Sequence, residues 1–193
     1  MTDVFPVLRV LGMLIMLFAL AMGVPLAVSW YAQDGVWQVY PAAMGVALLV
    51  GLGLLVGMRR YKRELQPRHG VMLVSLVWAL LPLFAAVPLM LACAQIGRPM
   101  SFTHAYFEAV SGLTTTGSTV LSNLDTLPVS VNVWRTFLQW IGGMGILILA
   151  VAVLPLLGVG GAQLFKAEAA GPIKDTKLTP RMTETAKGLW GVY

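Results

Sequence analysis

The chain has 193 residues, of which 58% are hydrophobic and only 11% charged, and its mean hydropathy of +0.81 sets it far from soluble proteins, where about 25% of residues are charged. A surface so poor in Lys, Arg, Asp and Glu would not stay dispersed in water, so a soluble enzyme is excluded. The net charge of +5 implies no nucleic-acid partner, because the basic residues fall in blocks beside apolar runs rather than on one face, and the single Cys93 excludes an intrachain disulfide and a Cys/His metal set.

A helix crosses a hydrocarbon core of about 30 Å with about 20 apolar residues. Three charge-free runs meet that length: Val10 to Trp30, Val39 to Met58, and Val71 to Ala94. A fourth span is expected to begin after Arg135 and to run through Phe137 to Gly161. The first run is too long for the apolar region of a signal peptide, and Asp3 dilutes the charge before it, so it is read as a membrane anchor. Pro82, Pro88 and Pro155 lie inside spans, where neighbouring helices can satisfy the carbonyls they free, so kinks rather than breaks are expected. Gly53 and Gly57 form a GxxxG pair with no partner fixed by the sequence, while Gly142, Gly143 and Gly145 read as close-packing positions rather than a hinge.

Lys and Arg mark the segments that stay cytoplasmic. With the N-terminus inside, Arg9, the block from Arg59 to Arg68 and the tail from Lys166 to Lys187 place eleven basic residues on the cytoplasmic side, against only Arg98 and Arg135 outside. Both ends of the chain are therefore expected to be cytoplasmic. Trp30, Tyr31, Trp37 and Tyr40 then form an outer aromatic belt, and the block from Arg59 to Arg68 can also meet anionic lipid headgroups.

Residues 95–134 fit neither a polar loop nor a full span. Ser101 or Thr103 can cap a helix, and Thr103 to Gly112 continues it for about 15 Å, roughly half the hydrocarbon core. The run Thr114-Thr115-Thr116-Gly117-Ser118-Thr119 follows, and the chain returns through Asn123, Asp125 and Pro128. Descent by helix and return by extended chain describe a re-entrant pore loop. Irregular backbone at that depth must line water or find partners for its carbonyls, and rings of backbone carbonyls coordinate dehydrated potassium. Thr114, Thr115, Thr116, Gly117 and Ser118 are thus candidate cation ligands. Gly117 supplies backbone freedom, and the helix ending near Ser111 and Gly112 would aim its negative end at the ion. Glu108, inside the half-helix, is read as a support for the loop backbone rather than an ion ligand.

The segment from Phe107 to Ser118 (FEAVSGLTTTGS), together with Gln139 to Gly145 (QWIGGMG), resembles the first pore-loop repeat of the Trk-type (TrkH) potassium uptake family. Lys166-Ala167-Glu168, Gly171-Pro172 and the stretch from Lys177 to Lys187 resemble the link that follows that repeat. The resemblance implies an all-α integral membrane fold: two leading helices and a basic loop over 1–70, helix, pore loop and helix over 71–161, and a cytoplasmic link over 162–193. It also implies that this chain is the N-terminal part of a protein with four such repeats around one potassium path in the bacterial inner membrane. Potassium would be the transported ligand, and no cofactor is expected. Beyond membrane lipid, the implied partners are a second copy, giving a homodimer, and a cytoplasmic nucleotide-binding regulatory subunit of the TrkA type docking near the basic tail.

Two other classes compete. An intramembrane hydrolase could use Ser111 with His104 seven residues before it, on the same helix face, although no GxSxG elbow is present. A non-conducting bundle, or a fragment whose tail recruits a partner, is the third reading. His69 and His104 lack the neighbours a metal site requires.

Overall fold

The computed structural model describes residues 4–59 and 67–153, with 188, 191 and 192. All regular structure among them is helical: α1 (Phe5–Ala21), α2 (Gly23–Ala32), α3 (Val39–Gly57), α4 (Pro67–Gln95), α5 (Phe102–Leu113), a single 3-10 turn (Leu124–Thr126) and α6 (Val129–Val153). Three stretches are long and apolar enough to cross a membrane: Phe5–Ala32, Val39–Gly57 and His69–Gln95, of 28, 19 and 27 residues. They correspond to the three charge-free runs.

The first span breaks into α1 and α2 at Met22, where the Met22 N–H bonds the Ala19 carbonyl at 3.1 Å. Pro25, three residues on, has no N–H for the carbonyl of Ala21, and its ring crowds that carbonyl; Gly23 adds flexibility at the same turn. By contrast, α4 runs unbroken through Pro82 and Pro88. Its carbonyls are served from outside: the Tyr106 hydroxyl on α5 donates to Ala79 at 3.0 Å, and the Trp134 indole N–H on α6 donates to Ala85 at 3.1 Å. Each acceptor lies three residues before a proline, next to the carbonyls of Trp78 and Phe84 that lose the proline N–H. Pro155 lies outside the described residues.

The chain divides into two compact units, Met1–Gln139 and Trp140–Tyr193. In the first, α1 packs on α3 through glycine. A Cβ on Gly12 would stand 2.8 Å from the Gly51 carbonyl oxygen, and one on Gly51 would stand 2.9 Å from the Gly12 carbonyl oxygen. The helices therefore approach backbone to backbone, a separation only glycine permits. Leu11, Ile15, Ala19 and Ala47 form the buried cluster beside this crossing. The Gly53 and Gly57 pair singled out from the sequence faces open space instead. Phe18 of α1 meets the fully buried Trp134 of α6 at a centroid distance of 5.6 Å.

α6 begins at Val129, earlier than expected, so Arg135 lies inside the helix rather than before it. Its start is held from the leading helices: the Asp34 carboxylate, in the turn between α2 and α3, accepts the Ser130 N–H at 3.0 Å. Asp34 also accepts the Ser29 hydroxyl, and the Val36 N–H at 3.3 Å. In the second unit, the described part of α6 continues from Trp140 to Val153. The expected extension to Gly161, and residues 162–187 of the cytoplasmic link, lie outside the described residues.

Candidate functional site

α5 is the half-helix expected from the sequence, extended by one residue at each end. Ser101 caps it, with extended backbone at φ −67° and ψ 155° and its hydroxyl oxygen accepting the His104 N–H at 3.2 Å. Twelve residues give a length of about 18 Å, too short to cross the hydrocarbon core. Ala105, Glu108, Ala109, Ser111, Gly112 and Leu113 are its buried residues. Gly112 sits against α6, where an added Cβ would come within 3.1 Å of the Leu138 Cβ.

The helix ends in a Schellman motif. The Thr116 N–H bonds the Ser111 carbonyl and the Thr115 N–H bonds the Gly112 carbonyl, both at 2.9 Å. Thr115 occupies the left-handed position at φ 57°, which glycine normally fills and a β-branched residue strongly resists. The carbonyls of Val110, Ser111 and Gly112 are thereby taken up by the N–H groups of Thr114 to Gly117. The end of α5 therefore lends the loop its field, while its last carbonyls are already occupied.

Beyond Thr115 the chain leaves regular structure, and its donors and acceptors part company. The Thr114 hydroxyl is within 2.8 Å of both the Val110 carbonyl and the Thr116 hydroxyl. Gly117 has φ 74°, a region that costs L-residues about 1–2 kcal/mol. The Ser118 carbonyl accepts the Ser111 hydroxyl at 2.7 Å. The carbonyls of Thr115, Thr116 and Gly117 accept no hydrogen bond among the described residues, and Thr114 to Ser118 are all exposed. Main-chain oxygens left without a donor in exposed chain are the ligand type that hard monovalent cations take.

The return limb is gripped by Glu108. One carboxylate oxygen accepts the Thr119 hydroxyl at 2.5 Å and the Val120 N–H at 2.6 Å, while the other accepts Arg135 Nε at 3.1 Å. Glu108 is 2% exposed at its side chain and Arg135 15%, so this is a buried ion pair whose charges would be costly apart. Farther along, Asn132 on α6 donates to the Leu124 carbonyl at 2.8 Å, and the 3-10 turn closes the return. Glu108 thus touches the loop backbone, as the sequence reading has it. Its partner Arg135 is the residue that reading missed, having counted it only as an outer charge. The available signal was a basic residue close to an apolar run opposite one intramembrane carboxylate, since such groups pair.

The hydrolase constellation does not assemble. The Ser111 hydroxyl proton goes to the Ser118 carbonyl, and His104 is exposed at the far end of α5, about 10 Å along the axis. Among the described residues no group of three or more His, Cys, Asp or Glu could hold a metal.

Residues 38–193 match the family model described as TrkH, cation transport protein. The chain is 48% identical over 187 residues to the Trk system potassium uptake protein TrkH of Halomonas elongata, covering 97% of this chain and 38% of that protein. It is 44% identical over 185 residues to TrkH of Escherichia coli strain K12, covering 96% of this chain and again 38% of the relative. In structure it is similar to the crystal structure of the potassium transporter TrkH from Vibrio parahaemolyticus, with a TM-score of 0.81 and 39% identity over 98% of this chain and 36% of that one. The chain thus spans about 38% of the length of the curated relatives it matches.

Proposed function

The chain belongs to the TrkH family of cation transport proteins, and from that premise we propose that it is the N-terminal part of a potassium uptake subunit and supplies one of four filter loops. Potassium is the transported ligand, held by carbonyl and hydroxyl oxygens of Thr114, Thr115, Thr116, Gly117 and Ser118. Gly112 seats the half-helix against α6 and Glu108 holds the return limb. The observation that carries this reading is the exposed, unpartnered carbonyl row at Thr115 to Gly117, which stands at the tip of a helix too short to cross a bilayer.

The remaining arrangement follows from the positive-inside bias and from the family. Both ends of this segment lie in the cytoplasm of a bacterial cell, the spans sit in the inner membrane, and the intact subunit forms a homodimer. The basic tail from Lys166 to Lys187 faces a nucleotide-binding regulatory subunit of the TrkA type. No covalent chemistry and no cofactor are required, since desolvation of the ion and its replacement by fixed oxygens is the whole task.

The test is rubidium uptake, and potassium-dependent growth, in an uptake-deficient bacterium carrying the intact transporter that contains this segment. Gly117→Asp places a side chain and a charge on the left-handed residue among the filter carbonyls and is expected to abolish uptake. Normal uptake by that variant sinks the filter assignment. One loop supplies about a quarter of a four-loop coordination shell, so this segment alone, in liposomes, is expected to give no potassium flux.

A further inference from the structure

The grip on the return limb has a feature that a merely structural contact would not need. α5 holds the candidate filter at both ends: the loop leaves from its C-terminus, and Glu108, nearer its middle, takes Thr119 and Val120 where the loop comes back. The spacing of the intervening carbonyls therefore depends on where the Glu108 carboxylate stands. That position is fixed from α6, by Arg135, 27 residues away in sequence. Arg135 also sets the charge. With it, the wall behind the loop is a neutral pair, and the field at the bare carbonyls comes from dipoles; without it, a buried carboxylate stands uncompensated behind the return limb. A full negative charge draws small, strongly hydrated cations as readily as larger ones, whereas discrimination rests on the number and field strength of the carbonyl ligands.

We propose that Arg135 is a specificity-determining positioning residue, which through Glu108 fixes the main chain at Thr119 and Val120 and keeps the filter wall neutral, so that potassium is preferred to sodium. The inference rests on the filter reading and extends it to a residue that touches no ion. The contact is a single one, Arg135 Nε to Glu108 Oε2; a guanidinium suits this place because its planar group directs that N–H, whereas a lysine ammonium is a mobile point charge.

The experiment uses the intact transporter containing this segment, expressed in an uptake-deficient bacterium, with rubidium as tracer. It measures KM, maximal rate and inhibition by sodium, each normalised to the amount of transporter in the membrane. For R135Q the expected result is a gain of about tenfold in the potency of sodium relative to rubidium, the factor that goes with one hydrogen bond to a charged group. The maximal rate per transporter should fall by less than that ratio. R135K keeps the charge without the planar fork and is expected to recover part of the preference. E108Q removes the negative charge altogether and weakens the hold on Thr119 and Val120, so it isolates the positioning effect, and a shift in the direction of R135Q by a smaller factor is expected from the loosened return limb alone. It also serves if R135Q fails to accumulate. A wild-type sodium-to-rubidium ratio in R135Q, or in E108Q where R135Q fails to accumulate, with only the amount or the maximal rate reduced, would overturn the proposal. The filter reading fails on a different variant, by normal uptake in Gly117→Asp, so the two failures are distinct.

Discussion

The Asp34 carboxylate and the Ser130 N–H, 96 residues apart in sequence, meet at 3.0 Å where the turn between α2 and α3 touches the start of α6. An acidic side chain from one part of the fold thus caps the helix of another, satisfying a donor that α6 cannot satisfy internally and complementing its positive end. Burial pushes the Asp34 carboxyl up, but the Ser29 hydroxyl and the backbone N–H groups of Ser130 and Val36, with the Ser130 hydroxyl nearby, outweigh it, so it lies below its ordinary value of 3.8. The stabilisation is therefore fully present above pH 3.8 and is lost as pH falls from there through the lowered native value. Asp34→Asn, which can place an amide rather than an acceptor at Ser130, is expected to cost about 1 kcal/mol, discounted for the partial exposure of the site. Heat-aggregation midpoints of the intact protein that contains this segment should fall at neutral pH. The gap to wild type should narrow only below that pH, and a gap that widens on acidification would contradict the cap.

Gly12→Ala and Gly51→Ala each put a methyl group within 2.9 Å of a backbone oxygen on the facing helix. That oxygen can move only with its helix, so each variant is expected to cost about 1–3 kcal/mol. Gly53→Ala, with open space around it, should be neutral or slightly stabilising, since alanine is the better helix former by about 1 kcal/mol. Thermal midpoints in detergent rank the three. The ranking fails if Gly53→Ala is the most damaging.

Thr115 and Gly117 both have positive φ, and they should respond in opposite directions. Thr115→Gly removes a β-branched side chain from the left-handed region and is expected to raise the thermal midpoint by an amount equivalent to about 1 kcal/mol. Gly117→Ala, whose nearest neighbour would be Gln139 Nε2 at 4.0 Å, meets strain without a clash and should lower stability by about the same amount. Two shifts of equal sign would contradict the backbone described for the loop.

Tyr106→Phe and Trp134→Phe remove the donors that serve Ala79 and Ala85. Interhelical hydrogen bonds in membranes are worth about 0.6–2 kcal/mol, so each change should cost about 1 kcal/mol. The informative comparison is with Pro82→Ala, which returns an N–H to the Trp78 carbonyl and so relaxes the turn beside Ala79. In that background the Tyr106→Phe penalty should shrink, giving a coupling energy in a double-mutant cycle. Equal penalties in the two backgrounds would mean that the proline does not expose the carbonyl.

The three long spans and the half-helix were legible in the residues, because each rests on local properties, length and unbroken apolarity, while the cap of the half-helix was narrowed to Ser101 or Thr103 and the structure chose Ser101. The start of α6 was misplaced for an instructive reason. Arg135 reads as the charge that should precede a span, and only the neighbouring Glu108 makes it compatible with the helix interior. The glycines divide in the same way: the GxxxG spacing of Gly53 and Gly57 drew notice, while Gly51, with no motif around it, is where α1 and α3 meet.

From its amino acids alone this chain declares three long apolar helices, and a short helix and hydroxyl-rich stretch that follow them. Those features follow from one-dimensional requirements, the thickness of a hydrocarbon layer and the demand that each backbone group find a partner. The tertiary structure alone decided which partners those are: Arg135 for Glu108, Asp34 for the start of α6, and Tyr106 and Trp134 for the opened turns of α4. These pairs join residues 27 to 96 positions apart, and hydrogen bonds form over about 3 Å, a distance that sequence spacing does not encode until the helices are packed.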